Sequence, residues 1–261
     1  MTEYMFKKDI TQDIGLLKKI NTDLYQAWMS FHNSVFTDGA LSKKEKELIA
    51  VAGAHITRCP YCIRGRVLTS KKHGATDEEI VEAIYVAMRF AMGAPFAYSS
   101  IAMEAYEAIE KGIPLTEGHF FKKDITHEIA HFRESSGTLS KPFMAFHEKV
   151  FADGALSKKM KRGLMGLACA HMTRCPYCIR GCVKDALSLG ATKQEMAEAI
   201  NVGMVMAAGA CYAHTSIAME TLGAIKAREE ERVKAASGTS GGEEATASPE
   251  MKAKPDVDCG C

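Results

Sequence analysis

His55-Ile56-Thr57-Arg58-Cys59-Pro60-Tyr61-Cys62-Ile63-Arg64-Gly65 returns as His171-Met172-Thr173-Arg174-Cys175-Pro176-Tyr177-Cys178-Ile179-Arg180-Gly181, differing only where Ile56 becomes Met172. Two cysteines separated by two residues can close a small disulfide ring where the backbone turns. Proline breaks a helix interior but suits the first helical position. Cys59 and Cys175 are therefore expected at helix starts, where the helix dipole favours an anion and lowers a thiol pKa. A thiolate there is suited to thiol–disulfide exchange. Three readings stay open for the pairs: a redox couple, a zinc site drawing two ligands from each repeat, or inert structural cysteines.

Outward from this stretch, the chain repeats itself. Phe6-Lys7-Lys8-Asp9-Ile10-Thr11 returns as Phe121-Lys122-Lys123-Asp124-Ile125-Thr126, Phe31-His32 as Phe146-His147, Gly74-Ala75-Thr76 as Gly190-Ala191-Thr192, and Ser100 to Glu104 as Ser216 to Glu220. The offset is 115 residues before position 44 and 116 from His55 onward, so one residue has entered between Lys158 and His171. A unit of this length is domain-sized. The expected organisation is domain 1 over residues 1–115, domain 2 over 116–228, and a tail over 229–261. The two domains are expected to pack as a pseudo-dimer. The tail is poor in apolar residues, which predicts flexibility, and it ends in Cys259-Gly260-Cys261.

Composition narrows the function. Lys and Arg total 33 against 32 Asp and Glu, a net charge of +1, which gives no electrostatic footprint for nucleic acid or an anionic membrane. The N-terminus carries no basic stretch followed by an apolar one, so no secretory signal is read. The apolar segment from Ala197 to Ile225 holds Asn201, His214 and Glu220 and three glycines, so it reads as a buried helix pair and not a membrane span. The expected compartment is the cytoplasm, where nine cysteines stay reduced and short-spaced pairs are catalytic or metal-binding.

The periodicity is helical throughout. Thr76-Asp77-Glu78-Glu79 and Thr192-Lys193-Gln194-Glu195 read as capping boxes. Ile80, Ala83, Ile84, Ala87 and Met88 follow on one expected buried face. Gly74 and Gly190 suit the ends of the preceding helices. Met88, Met92, Met103, Met204, Met206 and Met219 read as core filler. The fold class is all-α, with five or six helices in each repeat.

Glu47, eleven intervening residues, then Cys59-x-x-Cys62 on this background resembles the carboxymuconolactone decarboxylase superfamily. The thiol pair makes the chain similar to its AhpD-like alkylhydroperoxidases. The resemblance spans about residues 20–110 and 135–225. It implies trimers or hexamers, here a trimer of pseudo-dimers, and hydroperoxide reduction recycled by a lipoyl or thioredoxin-like dithiol donor, with no cofactor and no resident metal. It also implies that Cys62 attacks peroxide and becomes a sulfenic acid, that Cys59 resolves it, and that Glu47 moves the protons. Cys175 and Cys178 take the corresponding places in the second repeat. The family's usual His, four residues after the second Cys, is Arg66 in one repeat and Cys182 in the other. Its Glu is Glu47 in the first repeat, and Arg162 and Gly163 stand there in the second. Arg66 is a candidate for holding Cys62 as thiolate. The alternatives are soft-metal binding, non-enzymatic redox sensing, and lactone decarboxylation, which leaves the thiols without a use.

Other residues complete the candidates. His55 and His171, four residues before each first Cys, face the same pocket if the helix continues that far. His32 and His147 read as core residues. His127 and His131 have metal-compatible i, i+4 spacing but no histidine equivalents in the first repeat, so they read as a surface face. Cys178 and Cys182 are helical neighbours and could pair, while Cys169 and Cys211 read as small buried hydrophobes. Cys259 and Cys261 are candidates for a tethered reductant.

Overall fold

A computed structural model of the chain describes residues 7–114 and 120–238. The predicted boundary at residue 115 and tail residues Cys259 and Cys261 lie outside the described residues. Among the described residues each repeat contains five α-helices: α1 (Thr11–Ile20), α2 (Thr22–Val35), α3 (Lys43–Thr57), α4 (Pro60–Lys72) and α5 (Asp77–Glu110) in the first, and α6 (Thr126–Ser135), α7 (Ser140–Val150), α8 (Gly166–Met172), α9 (Pro176–Ser188) and α10 (Lys193–Gly238) in the second. A short 3-10 turn, Gly137–Leu139, precedes α7, and a π-helical segment, Lys159–Met165, runs into α8. No strand occurs among the described residues.

Local chemistry sets these boundaries. Ser42 and Thr76 each make a full capping box, with Glu45 and Glu79 returning to the cap backbone. Thr192 and Glu195 exchange the same pair of bonds at 2.7 and 3.1 Å. Gly74 and Gly190 have φ of 81° and 76°, the left-handed conformation in which a glycine meets no Cβ penalty.

The π segment is where the extra residue sits. Lys46 and Lys161 correspond at the offset of 115, and Leu48 and Leu164, both fully buried, correspond at 116. The insertion is thus absorbed at Arg162–Gly163, opposite Glu47. A single inserted residue widens one helical turn from α to π without shifting the packing on either side.

Met1–Ala218 form one compact unit, which holds the first repeat and most of the second. The two repeats share a single core. Lys46 to Ala54 on α3 and Gly163 to Ala170 around α8 are buried without a break, and Val86, Ala87, Phe90, Val202, Val205 and Met206 from the long helices close over them. Two carboxylates tie the repeats together in a pseudo-twofold exchange. Glu198 accepts from the backbone N–H of Ala40 (2.8 Å) and Leu41 (2.9 Å) and from Lys46 Nζ (2.9 Å). Glu82, its equivalent, accepts from Ala155 (3.0 Å), Leu156 (2.8 Å) and Lys161 Nζ (3.0 Å).

Three expectations change. The segment Ala197 to Ile225 is part of one continuous helix, not a pair, because Gly203 lets α10 cross close to the Ala168 carbonyl without breaking. The buried face of α5 runs through Ile80, Ala83, Val86, Ala87 and Phe90, so Met88 falls on the exposed side. Met92 and Met204 are exposed as well, and only Met206 of this set is sealed in the shared core. The stretches Asp77–Glu110 and Lys193–Ala235 are apolar and long enough to cross a membrane by composition alone. Within Met1–Ala218 one face of each lines the shared core, while residues such as Val81, Tyr85 and Met204 are exposed. The second unit, Met219–Cys261, is described only as the C-terminal part of α10, with Leu222, Ile225 and Val233 exposed.

Candidate active site

Each Cys-Pro-Tyr-Cys motif sits at a break between two helices. Arg58 and Arg174 take the left-handed conformation, with φ of 56° and 55°, and stop the preceding helix. Pro60 and Pro176 then open α4 and α9, with Cys59 and Cys175 as N-caps. The cap sulfur accepts the backbone N–H of the second cysteine, at 3.3 Å in the first repeat and 3.2 Å in the second. Both cap cysteines are fully buried, and Cys62 is half-buried. Cys175 and Cys178 are joined as a disulfide with a Cα–Cα distance of 5.2 Å, while Cys59 and Cys62 are free thiols. The long helix of the opposite repeat covers each pair: Ala210 and Ala213 pack on Cys59, and Ala94 and Ala97 pack on Cys175.

Behind the first pair lies a closed polar network. Glu47 is 3% exposed and accepts from Arg66 Nη1 at 3.2 Å and from Thr69 Oγ1 at 2.7 Å. Arg66 Nη2 lies 2.7 Å from His32 Nε2, and its guanidinium stacks 4.1 Å from the Phe36 ring centre. Arginine can only donate, so His32 Nε2 accepts and the ring proton sits on Nδ1, facing Asn33 Oδ1 at 3.2 Å. Burial lowers the pKa of His32. Burial pushes the Cys62 thiol up to about 12, the neighbouring Cys59 adds to this, and the pull of Arg66 in the other direction is smaller. Arg66 therefore does not hold Cys62 as a resting thiolate, because its charge is committed to Glu47 and it is hydrogen-bonded to His32.

The second pair has a different polar wall. Arg162 stands where Glu47 stands in the first repeat, and its Nε donates to Asp185 Oδ2 at 2.6 Å. Asp185 is the counterpart of Thr69 and Cys182 the counterpart of Arg66. The ion pair between the same two packed segments is thus reversed in polarity. A second guanidinium, Arg89, enters from α5, where the first repeat's site has Val205. Arg89 Nε donates to His147 Nδ1 at 2.9 Å. Burial and the charges of Arg89 and Arg162 press His147 down to about 4, so it is neutral at pH 7. These groups border a cavity of about 260 Å³, lined also by Phe90, Gly93, Phe96, Phe151, Tyr177 and Cys178.

The remaining candidates fall elsewhere. His55 Nδ1 and His171 Nδ1 each lie 2.8 Å from a carbonyl of their own helix, Val51 and Leu167. The helix does not continue to the cysteine, since α3 ends at Thr57 and α8 at Met172. Cys182 is buried and free, and its expected partner Cys178 is bonded to Cys175 instead. Cys169 is fully buried, but Cys211 is exposed on α10 rather than buried. His127 and His131 both meet Glu107, at 3.0 and 3.1 Å. Among the described residues no group of three or more His, Cys, Asp or Glu is disposed to hold a metal. Cys59 and Cys175 lie in separate apolar clusters. Sequence reasoning passed over Arg89 and Asp185 and read His32 and His147 as core. The repeated Phe-His, one turn before a repeated Phe, was the available signal.

Comparison with known proteins follows the repeat. The model of the carboxymuconolactone decarboxylase family matches residues 22–110 and again 138–221. An uncharacterised protein in the cox locus of Paracoccus denitrificans is 40% identical over 97 residues, covering 37% of this chain and 87% of its own length. An uncharacterised protein of Cupriavidus necator is 27% identical over 101 residues, covering 39% of this chain and 89% of its own. Each of these relatives has about the length of one repeat. A Burkholderia xenovorans crystal structure, assigned as a gamma-carboxymuconolactone decarboxylase subunit, superposes with a TM-score of 0.64 at 17% identity, covering 83% of this chain and 91% of that one. That likeness concerns the fold.

Proposed function

The chain belongs to the carboxymuconolactone decarboxylase family, and from that membership and its two thiol pairs we propose that it is a thiol-dependent oxidoreductase that reduces hydroperoxides. The observation that carries the reading is the half-buried Cys62, which meets the Cys59 sulfur through its own backbone N–H and is backed by the Glu47–Arg66–His32 network. Cys62 attacks the terminal peroxide oxygen, the O–O bond breaks, and an alcohol leaves with one proton. The resulting sulfenic acid is attacked by Cys59, which releases water and leaves a disulfide. A dithiol donor, lipoyl or thioredoxin-like, returns two electrons by exchange and is itself oxidised. Because burial holds the Cys62 proton tightly, the reaction needs a base in place, and the Glu47 network is assigned that role.

The assay is consumption of cumene hydroperoxide under excess dithiothreitol. Cys62→Ser is expected to reduce it to whatever the Cys175–Cys178 pair alone supports. Cys59→Ser is expected to leave a Cys62 sulfenic acid that dimedone labels. Full consumption by Cys62→Ser would refute the reading. A lactone decarboxylase is the competing function, with which the family membership is consistent. That reaction uses no thiol and would survive replacement of all four motif cysteines. The redox reading also carries a homo-oligomer, a trimer of pseudo-dimers, and the reducing cytoplasm as its setting; light scattering tests the first.

A further inference from the structure

We infer that the cavity beside the second thiol pair binds a small organic carboxylate, held by Arg89 with Arg162 and with its apolar body against Phe96, Phe151 and Tyr177. This inference is independent of the redox reading, since it concerns affinity and not turnover. Charge accounting leads to it. Arg162 is neutralised by Asp185 at 2.6 Å. Arg89 has no carboxylate partner among the described residues, and its hydrogen-bond acceptor is the neutral His147. The wall therefore carries one net positive charge in a mostly apolar surround. Burial, then repulsion from Arg162, lowers Arg89 to about 10, so the guanidinium stays charged at pH 7 at a cost that an incoming anion would relieve.

The backbone keeps this charge in the cavity. A Cβ at Gly93 would lie 2.9 Å from Arg89 Nη1 and 3.9 Å from Cys178 Sγ, so the glycine leaves room for the guanidinium to fold over α5 toward the sulfur. At about 260 Å³ the space suits a ligand smaller than drug size. A lone inorganic anion would leave the aromatic walls unfilled, whereas an aromatic or short aliphatic acid satisfies both surfaces. The first repeat lacks the feature: Val205 replaces Arg89, and Glu47 and Arg66 neutralise each other. One such site per chain is expected.

Isothermal titration of the full chain with benzoate at pH 7 in low chloride tests this. The expected result is one benzoate per chain. Benzyl alcohol should bind roughly tenfold to a hundredfold more weakly, the range of a charge-assisted hydrogen bond. Arg89→Val, which installs the first repeat's residue, should weaken benzoate by a similar factor, and Arg89→Lys by less. If Arg89→Val does not fold, Arg89→Gln, which removes the charge but keeps a polar side chain, must give a comparable loss. Absence of benzoate binding, two equivalents per chain, unchanged affinity in Arg89→Val or Arg89→Gln, or inorganic phosphate binding as tightly as benzoate would each overturn the inference.

Discussion

Replacing Glu198 by Gln removes a charge and leaves the shape, so its effect isolates the electrostatic tie between the repeats. In the native chain the carboxylate receives two backbone N–H groups and the Lys46 ammonium. Lys46 is 3% exposed, and Thr37 O, at 2.6 Å, is its other acceptor. The amide of glutamine keeps one acceptor oxygen and turns an NH2 toward groups that only donate. Breaking a buried ion pair costs about 3–5 kcal/mol. Glu198 keeps 17% of its side chain exposed, which lowers the expectation to about 2–3 kcal/mol. Titration gives a second measure. Burial alone would raise the Glu198 pKa, but the N–H groups of Leu41 and Ala40 and the Lys46 ammonium outweigh it and hold the carboxyl at about 2, against 4.5 for a free glutamate. A group depressed in the folded state contributes stability above its unfolded pKa and loses it as pH falls. The window is therefore pH 4.5 down to about 2, and solvent screening reduces its size to about 2 kcal/mol. Urea unfolding of wild type, Glu198→Gln and Glu82→Gln from pH 7 to 3 reads both quantities. Glu82 is more exposed, at 26%, so its variant should lose less. A Glu198→Gln protein within about 0.5 kcal/mol of wild type at pH 7, with the acid slope intact, would refute this account of how the repeats are joined.

Three further outcomes follow from the same geometry. Gly166→Ala puts a Cβ 2.6 Å from the Phe90 ring and 3.2 Å from Cys182 Sγ, so it should destabilise by about 1–3 kcal/mol in thermal unfolding. His147, depressed to about 4, should show a ring titration by NMR far below 6.5. Its contribution to stability is complete above pH 6.5 and is lost as pH falls toward 4. A fragment ending at residue 114 exposes the shared core face, and Glu82 is the first repeat's own counterpart of Glu198. The fragment is therefore expected to dimerise through that face, with Glu82 of each copy meeting Lys46 of the other, and a folded monomer by light scattering would contradict this.

Much of the fold was readable because its signals are local. Pro60 and Pro176 at the first helical position, the boxes at Thr76 and Thr192, and the left-handed glycines 74 and 190 each act within a few residues, so sequence spacing is enough to find them. The face of α5 was misjudged around Met88 because apolar spacing gives a helix but leaves its rotation to the neighbours it packs on. The second site was hidden for a similar reason. Arg89, His147, Arg162 and Asp185 come from four separate segments, and Arg89 reaches its place only because each long helix covers the opposite repeat's cysteines.

The two sites also show how a duplicated pair can diverge without disturbing the core. The residue added in the second repeat is taken up by the π segment Lys159–Met165, so Lys161 keeps its contact with Glu82 and Leu164 keeps its place in the core. The changes fall in the polar wall behind the thiols, beginning with Glu47, whose place Arg162 takes. A partly exposed arginine there is paired with an acid, Asp185, which comes from α9 where the first repeat has Thr69. With the acid moved across, an arginine at the Cys182 position would add a further unpaired charge beside Arg89 and Arg162, and a thiol occupies it. The first repeat keeps the Glu47–Arg66 pair behind a free dithiol, while the second gains Arg89, without a carboxylate partner among the described residues, beside its disulfide. In the readings proposed above, that difference assigns proton transfer to one pair and anion recognition to the other.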